Sequence, residues 1–339
     1  MKYTISGNYG AGNLGDELIL SGLITDLRRR DSQADITVLS ANPESTTAQH
    51  QVKATPPFPS GPRSLLKNFR NNATTNAVRQ SDYFILGGGG LFNNLSFKAT
   101  IIWSIQAFFA IRLKTPLLCL GQSVSYIKNP IARFLVHKTF KKAQQITVRD
   151  QNSIKALQKM GIKSNIELVE DFAFKSPLHD SNENDQNNDN KLNTPPQILI
   201  CLRQMPNLPK NLLPEIAKFI NSQPADTSIK LVDFQQRGSE CDTVIHQKLK
   251  KLITNPNTVH LQDITISELT TLYRQSALII GMRLHAIITA IITQRPFIAL
   301  SYAPKVRDFL ETHNYNDQIL DLQDTTHQEI EKLANKLKT

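Results

Sequence analysis

Short apolar runs alternate with helical patterns along almost the whole chain, and this rhythm constrains the fold more than any other feature. It begins with KYTIS (residues 2–6), a glycine-bearing turn, and a helix expected over 16–30 with Leu18, Ile19, Leu23 and Leu27 on one side. ADITVLS (34–40), DYFILGGGG (82–90), PLLCLGQSV (116–124), QITVRD (145–150) and IELVED (166–171) read as further strands. Helices are expected at 101–113, as a buried one, and at 151–160. Strands that alternate with helices pair in parallel. The expected fold is therefore α/β, with its functional loops at the strand C-termini.

Composition shifts at SPLHDSNENDQNNDNKLNTPPQ (176–197), which has almost nothing to bury and reads as a linker or disordered loop. The alternation then resumes, with strands at 197–203, 228–235, 257–261, 277–281 and 296–302. Helices are expected at 209–222, 240–253, 266–276, 283–294, 305–313 and 326–338. A chain of 339 residues exceeds what one core usually serves. The expected organisation is an N-terminal α/β domain (1–175), the polar linker (176–196), a C-terminal α/β domain (197–325) and a closing helix (326–339). Two Rossmann-like halves of this kind are expected to face a cleft lined by their strand-end loops.

The net charge is +10, from 39 Lys and Arg against 29 Asp and Glu. That balance suits an anionic partner: a phosphorylated small molecule, nucleic acid or the inner membrane leaflet. A generally basic surface explains it equally well. Nucleic acid is not expected, because the basic segments lack interleaved aromatic residues. Cys119, Cys201 and Cys241 lie far apart without a C-x-x-C pair, which argues against a disulfide framework and for a reducing compartment. Met1-Lys2 leads into a polar-interrupted strand, so no signal peptide is read. The most apolar windows, 99–111 and 277–293, are too short or carry Arg283 and His285. A cytoplasmic protein is expected, with peripheral contact at the inner face of the membrane left open.

GNYGAGNLGDELIL matches the dinucleotide spacing G-x-G-x-x-G at Gly10, Gly12 and Gly15. A pyrophosphate needs bare amides at the helix start, yet Asp16 and Glu17 stand there and are expected to cap them. Asn42 lies near the place where an acidic ribose ligand is wanted, so dinucleotide binding is disfavoured. Gly87–Gly90 allow close backbone approach but make no Walker loop. GMRLH and SYAPKV are richer. Arg283 and His285 sit where an apolar strand meets an apolar helix, and Lys305 follows the next strand. A charge there is expensive without a ligand or partner. Arg149 and Arg203 end strands in the same way, although Arg149 could instead pair with Asp150 or Asp171. Several cations at separate strand ends point to an anionic substrate. No H-x-x-x-H, H-E-x-x-H or G-x-S-x-G pattern is present, so neither metal nor cofactor is expected.

Taken in order, GNYGAGNLGDELIL, GGGGLFNN, TVRD, GMRLHAIITA and ALSYAPKV resemble the polysaccharide pyruvyl transferase family over roughly residues 3–310. The resemblance implies a two-domain fold like that of GT-B glycosyltransferases. It also implies transfer of a pyruvyl group from phosphoenolpyruvate to two sugar hydroxyls, with a cyclic ketal formed and phosphate released, in cell-surface polysaccharide biosynthesis. On the family's pattern Arg149, His285 and Lys305 fall on donor-site positions, and Arg283 and Arg203 are added as further cations. His285 is the natural general acid. The acceptor is expected on the N-terminal side, at Gly12, Asn13, Gly88, Gly89 and Asn93, with Asp16 or Glu17 as base. That acceptor could be linked to a polyprenyl diphosphate. The chain departs from the family at GQSVSYI (121–127), at LRQMPN (202–207) and in the Asn-rich insertion. The departures bear on the acceptor more than on the donor.

Two other classes remain open. One is a nucleotide-sugar glycosyltransferase on the same fold. The other is a non-catalytic protein that holds an anionic glycan or nucleic acid in a basic cleft.

Overall fold

The computed structural model describes residues 1–58, 72–93, 96–163, 166–178, 195–238 and 241–337. Residues 59–71, which include the end of the Pro-rich stretch 55–62, and most of the Asn-rich insertion lie outside the described residues. The chain divides into two compact units. One comprises Met1–Ala11 with Asp16–Pro177, the other Gly12–Gly15 with Leu178–Thr339.

In the first unit the strands are β1 (Lys2–Ser6), β2 (Asp35–Leu39), β3 (Lys53–Thr55), β4 (Tyr83–Leu86), β5 (Gly89–Phe92), β6 (Leu117–Val124), β7 (Gln145–Val148) and β8 (Ile166–Leu168). They form one sheet in the order β3-β2-β1-β4-β6-β7-β8, with β5 added beside β6. All the pairings are parallel, with Ile5 opposite Val38 on one side and Ile85 on the other. The helices are α1 (Leu14–Arg30), α2 (Pro43–His50), α3 (Ala73–Gln80), α4 (Phe97–Arg112), α5 (Pro130–Lys142) and α6 (Gln151–Lys159). Because parallel sheets are covered on both faces, the strand interiors Ile5, Val38, Phe84, Ile85 and Cys119 are fully buried.

The second unit repeats the scheme. β9 (Gln197–Cys201), β10 (Ser228–Val232), β11 (Thr258–Leu261), β12 (Ser276–Gly281), β13 (Phe297–Ser301) and β14 (Ile319–Asp321) alternate with α7 (Leu212–Asn221), α8 (Thr243–Lys250), α9 (Ile266–Arg274), α10 (Leu284–Ile292), α11 (Pro304–Thr312) and α12 (His327–Lys336). The parallel sheet runs β11-β10-β9-β12-β13-β14. The closing helix α12 packs on α7 within this unit. Thr265 and Thr326 start α9 and α12 with capping boxes to Glu268 and Glu329.

Several expectations need correction. The helix expected at 101–113 starts earlier, at Phe97, and is buried on one side only, since Phe97 and Phe108 are 47% and 60% exposed. The glycines of DYFILGGGG do not form one open loop. Gly89 and Gly90 open strand β5, because Leu91 and Phe92 bury their side chains. The strand expected over 166–171 stops at Leu168, and Asp171 then caps a 3-10 turn, Phe172–Lys175. Helix α5 escapes the sequence pattern because cations occupy its outer side, although Ala132, Val136 and Phe140 recur at helical spacing and are buried. Among the described residues no helix is long and apolar enough to cross a membrane.

Candidate active site

In open parallel sheets a ligand lies beyond the carboxyl ends of the strands, where the strand order reverses. The first unit reverses between β1 and β4, the second between β9 and β12. Both reversals are flanked by the loops whose residues carry the candidate chemistry.

In the first unit, β1 leads into the turn Gly7–Ala11 and β4 into Gly87-Gly88. These glycines answer to close packing. A Cβ on Gly87 would lie 2.2 Å from the Tyr9 hydroxyl, and one on Gly88 would lie 2.6 Å from an Ile19 methyl. Gly89 has φ +92°, and a Cβ there would stand 3.2 Å from an Asp16 oxygen, so Asp16 lies against this backbone. Asp16 also accepts a 2.8 Å hydrogen bond from Asn8 Nδ2. Asn93 is half-buried and donates to the Gly90 carbonyl at 2.8 Å.

Glu17 is placed differently from expectation. It is buried, with one oxygen accepting from the Gly10 amide at 2.7 Å and the other meeting His50 Nε2 at 2.9 Å. The carboxylate therefore holds the glycine turn in place, while the start of α1 is capped by Asn13, whose Oδ1 accepts from the Gly15 amide at 2.9 Å. Arg149, one residue beyond β7, is ion-paired with the buried Asp171. Of the two partners foreseen for it, Asp171 is the one observed, while Asp150 caps α6 through the Ser153 amide.

In the second unit the tetrapeptide Gly12–Gly15 lies on the end of β10. Leu14 N–H donates to the Phe234 carbonyl at 2.9 Å, Gln236 N–H donates to the Gly12 carbonyl at 2.7 Å, and Asn13 Nδ2 donates to Gln235 Oε1 at 2.7 Å. Gly12 has φ +76°, and a Cβ there would press on the Arg237 side chain at 2.9 Å. Gly15 faces His285. A Cβ on it would lie 2.4 Å from Nδ1, so only glycine fits beside the imidazole. Of the five residues expected on the donor side, four belong to this unit and Arg149 to the first. Arg203 follows β9, Arg283 and His285 follow β12, and Lys305 follows β13, and these three strands are neighbours.

The four differ in how they are held. Arg283 forks onto the fully buried Asp242, with Nε–Oδ2 at 2.8 Å and Nη2–Oδ1 at 2.6 Å. Asp242 also accepts from the amides of Gln204 and Gln235, so Arg283 fixes two strand-end loops. Arg203 donates to Tyr302 Oη at 2.6 Å and stacks on the same ring, 5.0 Å from its centroid, while the exposed Lys305 lies 5.8 Å from that centroid. Burial alone would raise the Tyr302 pKa, but Lys305 and Arg203 outweigh it and hold the phenol below its usual value. His285 is half-buried in the first turn of α10, where backbone amides make the potential positive. Arg203 and Lys305 thus share one ring, Arg283 is neutralised by Asp242, and His285 follows the strand that lies between β9 and β13.

Tyr302 was not singled out by the sequence, though its place between strand β13 and Lys305 in SYAPK was a usable signal. A second feature was also missed. Asp233, Thr243, His246 and His260 form a polar network beneath the ends of β9 and β10. Asp233 Oδ1 receives both His246 Nδ1 and, at 2.8 Å, His260 Nε2, while Thr243 donates to Oδ2 at 2.6 Å. The other His246 nitrogen accepts the Leu202 amide at 3.0 Å, which places the ring proton on Nδ1 and leaves that nitrogen no lone pair for a metal. Burial would raise the Asp233 pKa, but the bonds from His246, His260 and Thr243 hold it well below the usual carboxylate range. Burial lowers the pKa of His246 despite its carboxylate partner.

A model of the polysaccharide pyruvyl transferase family matches residues 13–304. Among curated proteins no significant match is found. Solved structures with a similar fold include Anabaena HepE in complex with UDP-glucose, at 16% identity and a TM-score of 0.60, over 99% of this chain and 89% of that one. The UDP-GlcNAc 2-epimerase of Methanocaldococcus jannaschii matches at 15% identity and a TM-score of 0.64, over 100% of this chain and 93% of that one. S. aureus MnaA with UDP matches at 12% identity and a TM-score of 0.64, over 99% and 87%. The likeness shows a shared GT-B-like fold built from two parallel α/β domains.

Proposed function

Because the chain belongs to the polysaccharide pyruvyl transferase family, we propose that it moves a pyruvyl group from phosphoenolpyruvate to two hydroxyls of a saccharide on the cytoplasmic side of the membrane. The observation that carries this reading is the cluster at adjacent strand ends, where Arg203 and Lys305 share the Tyr302 ring near the reversal point that also carries His285. Phosphoenolpyruvate has a phosphate and a carboxylate close together and calls for such a set of cations.

In this mechanism Arg203 and Lys305 hold the anionic groups, with Arg149 as a further donor position on the family's pattern. His285 gives its proton to the methylene carbon, and the adjoining carbon becomes electrophilic. A sugar hydroxyl adds there and loses its proton to a base, the role given to Asp16 on the sequence. The second hydroxyl then adds to that carbon as the C–O bond to phosphate breaks, its proton leaves with the departing phosphate, and the ketal is closed. Glu17 serves as a support for the turn, since both its oxygens are occupied. Arg283 positions the loops through Asp242, and acceptor binding is assigned to Gly12, Asn13, Gly88, Gly89 and Asn93 on the sequence.

The test is to supply phosphoenolpyruvate and candidate acceptors to purified protein and to follow phosphate release together with the gain of a pyruvyl group on the sugar. His285→Ala is expected to lower turnover by roughly 10²–10⁴-fold. An unchanged rate would remove His285 from the role. One observation favours a second reading, a nucleotide-sugar transferase: the fold neighbours include proteins crystallised with UDP-glucose and UDP. That reading expects UDP-sugar binding and no phosphate release from phosphoenolpyruvate. A non-catalytic glycan-binding protein would keep its binding in His285→Ala and release nothing.

A further inference from the structure

The basic charge of this chain is unevenly distributed. Between residues 45 and 149 there are 14 Lys and Arg against one acidic residue, Asp82, and from 83 to 149 there is no acidic residue at all. Outside that stretch acidic residues outnumber basic ones, so the excess of +10 is carried within it. The stretch includes helices α4 and α5, which pack side by side in the first unit. α4 lies on β4, β5 and β6, and α5 reaches the same sheet through Phe140, whose ring meets Phe92 edge-on at 5.2 Å. Neighbouring helices in one layer turn their outer sides the same way.

Those outer sides are apolar as well as basic. Phe97, Phe108, Ile131 and Phe134 are 47%, 60%, 63% and 57% exposed. On α4, Phe97 and Phe108 fall in one helical row with the half-exposed Ile101 and Ile105, and the row ends at the exposed Arg112. On α5, Ile131 and Phe134 are followed in their row by the exposed Lys138 and Lys142. Single exposed hydrophobic residues are ordinary; two adjoining rows of them are not. Beside α5 a groove of about 370 Å³ is lined by Tyr126, Pro130, Arg133, Phe134, His137, Lys159 and Met160. Two cations stand on its Tyr126 ring, Arg133 at 5.5 Å and Lys159 at 4.5 Å from the centroid, and no carboxylate is among the described lining residues.

We propose that the α4–α5 face docks on an anionic phospholipid bilayer, with Phe97, Phe108, Ile131 and Phe134 entering the interface and the Arg133–Lys159 groove receiving a lipid phosphate. Charge complementarity selects this occupant. Phenyl and isoleucine side chains interspersed with cations match an interface that is apolar below and anionic above. A nucleic-acid surface would use the cations but give no return for exposed aliphatic rows. The docking is independent of the proposed reaction, and it would bring the enzyme to any acceptor held on a lipid.

The experiment is co-sedimentation of the full chain with phosphatidylcholine vesicles and with vesicles of phosphatidylcholine and phosphatidylglycerol in equal amounts. Binding is expected only to the latter and should weaken as salt is raised. Lys138→Glu with Lys142→Glu should lower the partition coefficient at least about tenfold, since each surface cation contributes roughly fivefold. Phe108→Ser with Phe134→Ser should lower it by a similar factor, and circular dichroism should show both variants folded, because all four sites are exposed. The proposal is overturned if the wild type stays in the supernatant, if it binds both vesicle types equally, or if either folded variant pair binds as the wild type does. It is also overturned if a DNA duplex is bound in place of vesicles and the phenylalanine variants retain that binding.

Discussion

Gly15 and the imidazole of His285 are in such close contact that a single methyl group on Gly15 would overlap Nδ1 at 2.4 Å. The glycine at the start of α1 thus sets where the candidate general acid can stand. Gly15→Ala is expected to displace the ring and lower turnover by about 10²-fold, the scale of a misplacement of about 1 Å. Steady-state kinetics and a thermal melt check this together. The melt should fall as well, because the added methyl would also lie 2.9 Å from the His285 Cβ, which no turn of the ring moves away.

Tyr302 makes a prediction about the alkaline limb. Its phenol ionises below the usual tyrosine range because Lys305 and Arg203 favour the anion. As pH rises through that lowered value, tyrosinate forms and neutralises part of the cationic pair, so affinity for phosphoenolpyruvate should fall. Tyr302→Phe cannot ionise, and its affinity should persist to higher pH. Because Arg203 also loses its hydroxyl acceptor, the variant should bind a few-fold more weakly near neutrality. Binding isotherms across pH decide the matter, and superimposable alkaline limbs would contradict it.

The Asp233 network predicts acid sensitivity of the second unit. The folded pKa of Asp233 is depressed, so its stabilising contribution is present above the unfolded carboxylate pKa and is lost as pH falls toward the folded value. His246 is depressed too and stays neutral when folded. Stability therefore begins to fall as pH drops below the unfolded histidine value, about 6.5. Both shifts act in one direction. Unfolding followed by circular dichroism should show a first loss below about pH 6.5 and a steeper one below about pH 4. Asp233→Asn should flatten the second phase.

Much of this architecture is legible in the sequence because continuous apolar strands such as QILIC and FIALS have no soluble alternative to a buried parallel sheet. The strand ends place Arg203, Arg283, His285 and Lys305 by position alone. What each does there is not legible. Arg283 looks like a ligand-binding cation in GMRLH until Asp242, 41 residues earlier, is found under its guanidinium. Glu17 looks like a helix cap until His50 and the Gly10 amide are found on its oxygens. Those partners come from distant segments, and no local periodicity encodes them. Gly15 reads as part of a nucleotide-like spacing, while its reason is a ring from residue 285.

The central claim is that Arg203 and Lys305, the cations beyond the ends of β9 and β13, hold phosphoenolpyruvate. Isothermal titration of phosphoenolpyruvate into the folded protein, beside UDP, UDP-glucose and UDP-GlcNAc, tests it most directly. The expected result is binding of phosphoenolpyruvate that weakens in Arg203→Ala and Lys305→Ala by roughly tenfold or more each, as the loss of a charged hydrogen bond implies. Binding of a UDP ligand with no heat from phosphoenolpyruvate would contradict it.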